Sequence, residues 1–128
     1  MPRIHQEVTF AATPAKVYRA LMDAVEHAKF TGEPAEISGD AGGTFSVYGG
    51  KVLGRNIELV ADKRIVQAWR TADWPEGVFS IARFELSAEG NKTKLVFDQA
   101  GAPDAAVPHL ETGWHNMYWN KIHQYLGT

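Results

Sequence analysis

The chain of 128 residues contains no cysteine. This absence excludes disulfide bonds, thiolate nucleophiles and cysteine-ligated metals. The 13 basic and 15 acidic residues leave a net charge of −2, so the basic surface of a dedicated nucleic-acid binder is missing. No apolar run approaches the roughly 20 residues of a membrane-spanning helix, and the charged N-terminus is unlike a signal peptide. We therefore expect a soluble, cytoplasmic protein that binds no nucleic acid and has no membrane span.

The residues that are present are typical of a globular domain. Apolar residues make up 45% of the chain and charged residues 22%. A chain of this length buries roughly two-thirds of its unfolded surface, which allows a sizeable core. Because no repeat, low-complexity segment or linker divides the sequence, we predict a single domain over residues 1–128.

Hydrophobic periodicity predicts a mixed α and β order. Residues 3–10 alternate between apolar and polar side chains, as in a half-buried strand, and helical spacing follows over residues 15–29. The chain ends in a helix over residues 108–126 with an apolar stripe that must pack on the sheet. Between these helical segments lie short neighbouring strands, which form an antiparallel meander because parallel strands would need crossover helices. The predicted strands are 45–48, 52–60, 65–71, 78–87 and 92–99.

Several motifs occur in an order that is specific when taken together. They are Phe30-Thr31-Gly32, Gly49-Gly50, Glu58-Leu59-Val60, Ile65-Val66-Gln67-Ala68-Trp69-Arg70, Trp74-Pro75-Glu76-Gly77 and Gly113-Trp114. With these motifs the chain resembles, over nearly its whole length, homologues of the C-terminal domain of the activator of the heat-shock-protein-90 ATPase. That family belongs to the START-like, or Bet v 1-like, superfamily.

The resemblance implies an α+β, helix-grip fold. In such a fold a curved antiparallel sheet of six or seven strands wraps around a long C-terminal helix, and two short helices follow strand 1. The resemblance also implies that the space between sheet and helix is often a cavity for an apolar small molecule. A chaperone is the other partner that it implies.

Aromatic side chains provide the strongest candidate site. On pattern they face inward from the sheet and the last helix, where they either fill a core or line an apolar pocket. Gly54 and Gly113 would leave room wherever they face that space. The predicted pocket residues are Gln67, Trp69, Phe84, Phe97, Trp114, Met117 and Tyr118.

The histidines indicate no metal site. Glu111 and His115 are four residues apart on one helix face, but His109 lies on another, so three ligands do not converge. His5 and His27 have no partner that spacing reveals. We therefore expect no metal, no cofactor and no catalytic histidine.

Acid–base chemistry depends on which way one strand faces. Asn56 and Glu58 would share a face of strand 52–60, opposite Leu53, Ile57 and Leu59, the better core candidates. If Glu58 faces a cavity, it is a desolvated general base; if it faces outward, it is an ordinary surface carboxylate.

Three functions remain open on these grounds. The first is a non-enzymatic module that binds a hydrophobic small molecule between the sheet and the last helix. The second is a chaperone cofactor or other protein-interaction domain, and the third is a small enzyme that uses the cavity for acid–base chemistry. The sequence allows a monomer or a dimer.

Overall fold

The computed structural model describes residues 3–127, and its seven strands form one curved antiparallel sheet. The strands are β1 (Arg3–Phe10), β2 (Glu36–Ile37), β3 (Thr44–Val47), β4 (Val52–Val60), β5 (Arg64–Thr71), β6 (Ser80–Glu89) and β7 (Lys92–Ala100). Their order across the sheet is β1-β7-β6-β5-β4-β3-β2. Every strand from β2 to β7 therefore pairs with its neighbour in sequence, as the predicted meander requires. β1 pairs with β7 and is the edge strand on that side of the sheet.

Two short helices, α1 (Pro14–Met22) and α2 (Ala24–Thr31), follow β1 as predicted. The Asp23 carboxylate caps α2 by accepting hydrogen bonds from the backbone N–H groups of Val25 and Glu26, at 2.9 and 3.1 Å. This cap lets α2 begin immediately after α1 ends, because Asp23 breaks the helical backbone and satisfies two free N–H groups.

The chain ends in an unbroken helix of three parts, called here the C-terminal helix. It consists of α3 (Val107–Trp114), a π-helical turn (His115–Trp119) and α4 (Asn120–Leu126). Its inner side packs on the concave face of the sheet, so the predicted helix-grip architecture is confirmed. No helix within residues 3–127 is long and apolar enough to cross a membrane.

A β-bulge in β4 changes which residues face inward. Asn56 pairs with Gln67 and Glu58 with Val66, so Ile57 is left without a partner across the sheet. Asn56 is buried, whereas Ile57 is 50% exposed, and the Glu58 carboxylate meets the Arg64 guanidinium at 3.1 Å on the outer face. The prediction of Ile57 as a core residue is wrong, because Ile57 alternates with the buried Asn56 and so faces outward. The bulge turns the next residue outward as well, so Glu58 is a surface carboxylate, and it brings Leu59 to the core side as predicted.

The turn between β5 and β6 forms one residue later than predicted. The Trp74-Pro75-Glu76-Gly77 motif suggests a turn with proline second and glycine fourth. In the structure the Val78 N–H donates to the Pro75 carbonyl oxygen at 3.1 Å, which places Gly77 third. Gly77 has a φ of +79°, and glycine is the residue that accepts this conformation without strain.

Candidate ligand groove beneath the C-terminal helix

A groove of about 710 Å³ lies between the C-terminal helix and the β4–β5 side of the sheet. It is open to solvent along one side and is lined by residues from both layers of the fold. We call it the groove. Its lining residues are Thr31, Glu33, Tyr48, Lys51, Val52, Trp69, Thr71, Ala72, Asp73, Trp74, Ala105, Ala106, His109, Leu110, Gly113, Trp114, Met117, Tyr118 and Lys121.

Four aromatic side chains form the apolar part of the groove. The Trp69 ring on β5 lies 5.8 Å from the Trp74 ring and 5.3 Å from the Trp114 ring, measured between centroids. Trp114 in turn lies 4.8 Å from Tyr118 on the next turn of the C-terminal helix. Aromatic faces with a few polar groups around them are the usual lining of a small-molecule site.

A buried hydrogen-bond chain holds two of these tryptophans in place. The Trp114 indole N–H donates to the Gln99 Oε1 atom at 2.8 Å, and the Gln99 Nε2 atom donates to the Ser80 hydroxyl at 2.9 Å. The Ser80 hydroxyl donates to the Trp69 carbonyl oxygen at 2.8 Å. Because every link is buried, turning Trp114 would leave polar groups unpaired, and the groove wall is therefore rigid at this point.

Arg70 secures the loop that carries Trp74. Its buried guanidinium donates to the carbonyl oxygens of Trp74, Pro75 and Val78, at 2.6, 2.9 and 3.3 Å. The sequence pattern predicted only a turn here, and it revealed neither Trp74 as a groove residue nor Arg70 as the residue that holds its loop. The available signal was the arginine at the end of an apolar strand, four residues before Trp74, since a buried guanidinium needs several acceptors close by.

A cluster of polar aromatic rings closes the α2 end of the groove. His27 Nε2 lies 3.0 Å from the Tyr118 hydroxyl oxygen, and the Tyr48 hydroxyl donates to the Met117 carbonyl oxygen in the π-helical turn. Burial lowers the pKa of His27 to about 4, so its imidazole is neutral at pH 7. Burial also raises the pKa of both tyrosines, and the Glu33 charge adds to the effect on Tyr48.

The two glycines proposed to leave space behave differently. A side-chain carbon added at Gly113 would meet no atom within 4 Å, so this position opens the helix side of the groove. A carbon added at Gly54 would lie 1.9 Å from the Ala68 carbonyl oxygen and 2.8 Å from the Phe45 ring. Gly54 therefore allows close packing within the sheet and contributes no space to the groove.

A second, much smaller cavity of about 20 Å³ lies deeper in the core, and we call it the inner cavity. Trp69, Trp114 and Tyr118 line both the inner cavity and the groove, so they form an aromatic wall between the two spaces. The predicted residues Gln67 and Phe84 line the inner cavity but not the groove.

Of the other two predicted pocket residues, Met117 belongs to the groove lining and Phe97 does not. Phe97 borders neither space, because the Trp114 ring covers it at a centroid distance of 4.3 Å. Met117 lies at the groove rim and is 42% exposed. The π-helical turn adds a residue to the helix and rotates the following positions, so Trp119 is buried in the core and its indole N–H donates to Gln6 Oε1 at 2.6 Å.

The histidines have partners that sequence spacing could not reveal. His27 meets Tyr118, 91 residues further along the chain. His5 lies on the outer face, where its Nδ1 and Nε2 atoms are 2.7 and 3.0 Å from carboxylate oxygens of Asp98 and Glu7. Within residues 3–127, no three His, Asp or Glu side chains come close enough together to hold a metal ion.

Comparison with known proteins assigns the family. The model of the family described as activator of Hsp90 ATPase homolog 1-like protein matches residues 11–127. The chain belongs to this family. It is 31% identical over 125 residues to the human activator of 90 kDa heat shock protein ATPase homolog 1, and the match covers 98% of this chain but 37% of that protein. The chain thus spans little more than a third of the length of this curated family member.

Two solved structures share the fold. An HSP90 activator from Plasmodium falciparum superposes with a TM-score of 0.92 at 25% identity, covering 98% of this chain and 96% of the other. The Aha1 dimer from Colwellia psychrerythraea superposes with a TM-score of 0.81 at 21% identity, covering 100% of this chain and 99% of the other. At 21% identity, the match to the Colwellia protein shows a shared fold and no more.

Proposed function

We propose that this member of the Hsp90 ATPase activator-like family is a non-enzymatic module that binds a hydrophobic small molecule in the groove. The observation that supports the proposal is the combination of three tryptophan side chains with the open position at Gly113. Trp69, Trp74 and Trp114 present apolar surface, and the missing side chain at Gly113 leaves a space that a ligand can fill.

Burial of apolar ligand surface supplies the driving force for this binding. Each Å² of apolar surface removed from water contributes about 25 cal/mol, and a rigid wall loses little side-chain entropy on binding. The hydrogen-bond chain from Trp114 to the Trp69 carbonyl provides that rigidity. The groove lining also carries the charged groups Glu33, Lys51, Asp73 and Lys121.

The experiment is a thermal-shift and tryptophan-fluorescence titration with compounds of known structure, including 2-naphthol and decanoic acid. A ligand at 100 times its Kd stabilises the folded state by about 2.7 kcal/mol. Three of the four tryptophans line the groove, so binding is expected to change the intrinsic fluorescence as well as the Tm.

The test uses two matched variants. Gly113→Phe places a ring in the groove and is expected to abolish both signals, whereas Asn120→Phe adds the same ring at an exposed position outside the groove and is expected to preserve them. Equal binding to both variants, or no signal from any compound with the wild type, would refute the groove as the site. Mass spectrometry of recovered ligand separates binding from catalysis, because an enzyme would return a changed compound.

A chaperone partner is the second candidate, and the 31% identity to the human activator favours it. The assay measures ATP hydrolysis by a purified Hsp90 with and without this protein. Stimulation that persists in Gly113→Phe would assign the interaction to a surface outside the groove. An unchanged ATPase rate over a wide concentration range would eliminate this candidate.

A further inference from the structure

His27 has an unused hydrogen-bonding atom in the middle of the core. The side chain is 2% exposed, and its Nε2 atom is engaged with the Tyr118 hydroxyl. Within residues 3–127, His27 Nδ1 is the single buried side-chain nitrogen or oxygen without a hydrogen-bond partner. Buried polar atoms are normally paired, so an unpaired one calls for an explanation.

The unpaired atom belongs to a residue that lines the inner cavity. The cavity is otherwise surrounded mainly by aliphatic and aromatic side chains, and it shares the aromatic wall with the groove. A space of about 20 Å³ accommodates one water molecule or one ligand atom group of similar size. A polar group on a groove ligand therefore has a short route to His27 if the aromatic wall adjusts.

The protonation state of the His27 imidazole determines which polar group of a ligand can pair with it. The burial that depresses the pKa of His27 keeps the ring neutral, with one N–H donor and one lone pair. A hydroxyl can donate to the lone pair or accept from the N–H, so it suits either tautomer of the ring. A carboxylate can only accept, and its charge is costly to bury beside the apolar wall.

We propose that the inner cavity is the polar end of the ligand site, where a hydroxyl group of an aromatic alcohol bound in the groove pairs with His27 Nδ1. This inference rests on the proposed function and specifies its ligand class. The ring of the ligand lies against Trp69 and Trp114, and the Tyr118 side chain shifts to admit the hydroxyl.

The test compares naphthalene, 2-naphthol and 2-naphthoate, which share a ring system and differ in the polar group. The wild type is expected to bind 2-naphthol about fivefold to tenfold more tightly than naphthalene, the range that one neutral hydrogen bond provides, and 2-naphthoate more weakly than 2-naphthol. His27→Phe is expected to remove the preference while retaining naphthalene. Asn120→Phe changes an exposed residue that lines neither the groove nor the inner cavity, and it is expected to keep the preference.

Nitrogen NMR of the wild type provides a readout that does not depend on any variant folding. The ¹⁵Nδ1 resonance of His27 is expected to shift with 2-naphthol and to stay in place with naphthalene. If naphthalene and 2-naphthol bind equally and the resonance does not move, the inference is wrong and the proposed groove function stands. If no compound binds, both the inference and the proposed function fail.

Discussion

Acidification should unfold this protein in part through His27. The pKa of His27 is about 4 in the folded chain against an ordinary value of 6.5, because burial disfavours the charged ring. The unfolded chain therefore binds the proton more tightly, so the stabilisation is complete above pH 6.5 and declines as the pH falls towards 4. These two pKa values correspond to a loss in the free energy of unfolding of about 2 kcal/mol between pH 7 and pH 5, and of about 3 kcal/mol below pH 4.

Thermal unfolding measured at several pH values tests this magnitude. With an unfolding entropy of about 2.1 cal/mol/K per residue, a loss of 2 kcal/mol lowers the Tm by about 7 °C. His27→Phe keeps an aromatic ring in the cluster but cannot take up a proton, so its Tm should fall less than that of the wild type between pH 7 and pH 5. The Tyr48 and Tyr118 rings that face His27 have raised pKa values and do not titrate in this range.

A second histidine, His5, provides a control, because its pKa is shifted in the opposite direction to that of His27. Hydrogen bonds that the His5 ring donates to the Asp98 and Glu7 carboxylates raise the pKa of His5, so its stabilisation is present at low pH and is lost as the pH rises. His5→Gln should therefore lose more stability on acidification than the wild type does. Parallel pH curves for the wild type and His27→Phe would refute the assignment of the acid sensitivity to His27.

Further predictions concern the glycines, the loop clamp and metal content. Gly113→Ala should raise the free energy of unfolding by about 0.5–1 kcal/mol, because alanine favours the helix and its side chain meets no atom. Gly54→Ala should lower the free energy of unfolding, because its side chain would collide with the Ala68 carbonyl oxygen. Denaturant titration of both variants checks this contrast. Gly77→Val should cost about 1–2 kcal/mol, since valine does not adopt a φ of +79°, and an unchanged Tm would contradict the turn. Arg70→Met should lower the Tm and weaken the fluorescence response to 2-naphthol, because it releases the loop that carries Trp74. If Arg70→Lys restored both signals, the role of Arg70 as a donor to several carbonyl oxygens at once would be contradicted. Elemental analysis of the purified protein should find no stoichiometric transition metal.

The order of helices and strands could be predicted from sequence because its causes are local. Alternation in residues 3–10 and 65–71 and helical spacing near the C-terminus are properties of neighbouring residues. The structure has strands and a helix at these positions. The motifs from Phe30 to Trp114 added the fold family, which the match to residues 11–127 confirms.

Tertiary structure alone decided which of these side chains meet. The bulge at Ile57 and the π-helical turn before Asn120 each insert one residue into a regular element, and this reverses or rotates the facing of the positions beyond it. Ideal periodicity therefore overlooked Trp119 and did not reveal that Glu58 faces outward while Leu59 faces the core. The contact between His27 and Tyr118 spans 91 residues and arises only when the sheet brings α2 beneath the C-terminal helix. A sequence pattern reports the periodicity of one element, whereas a groove is formed by the packing of several.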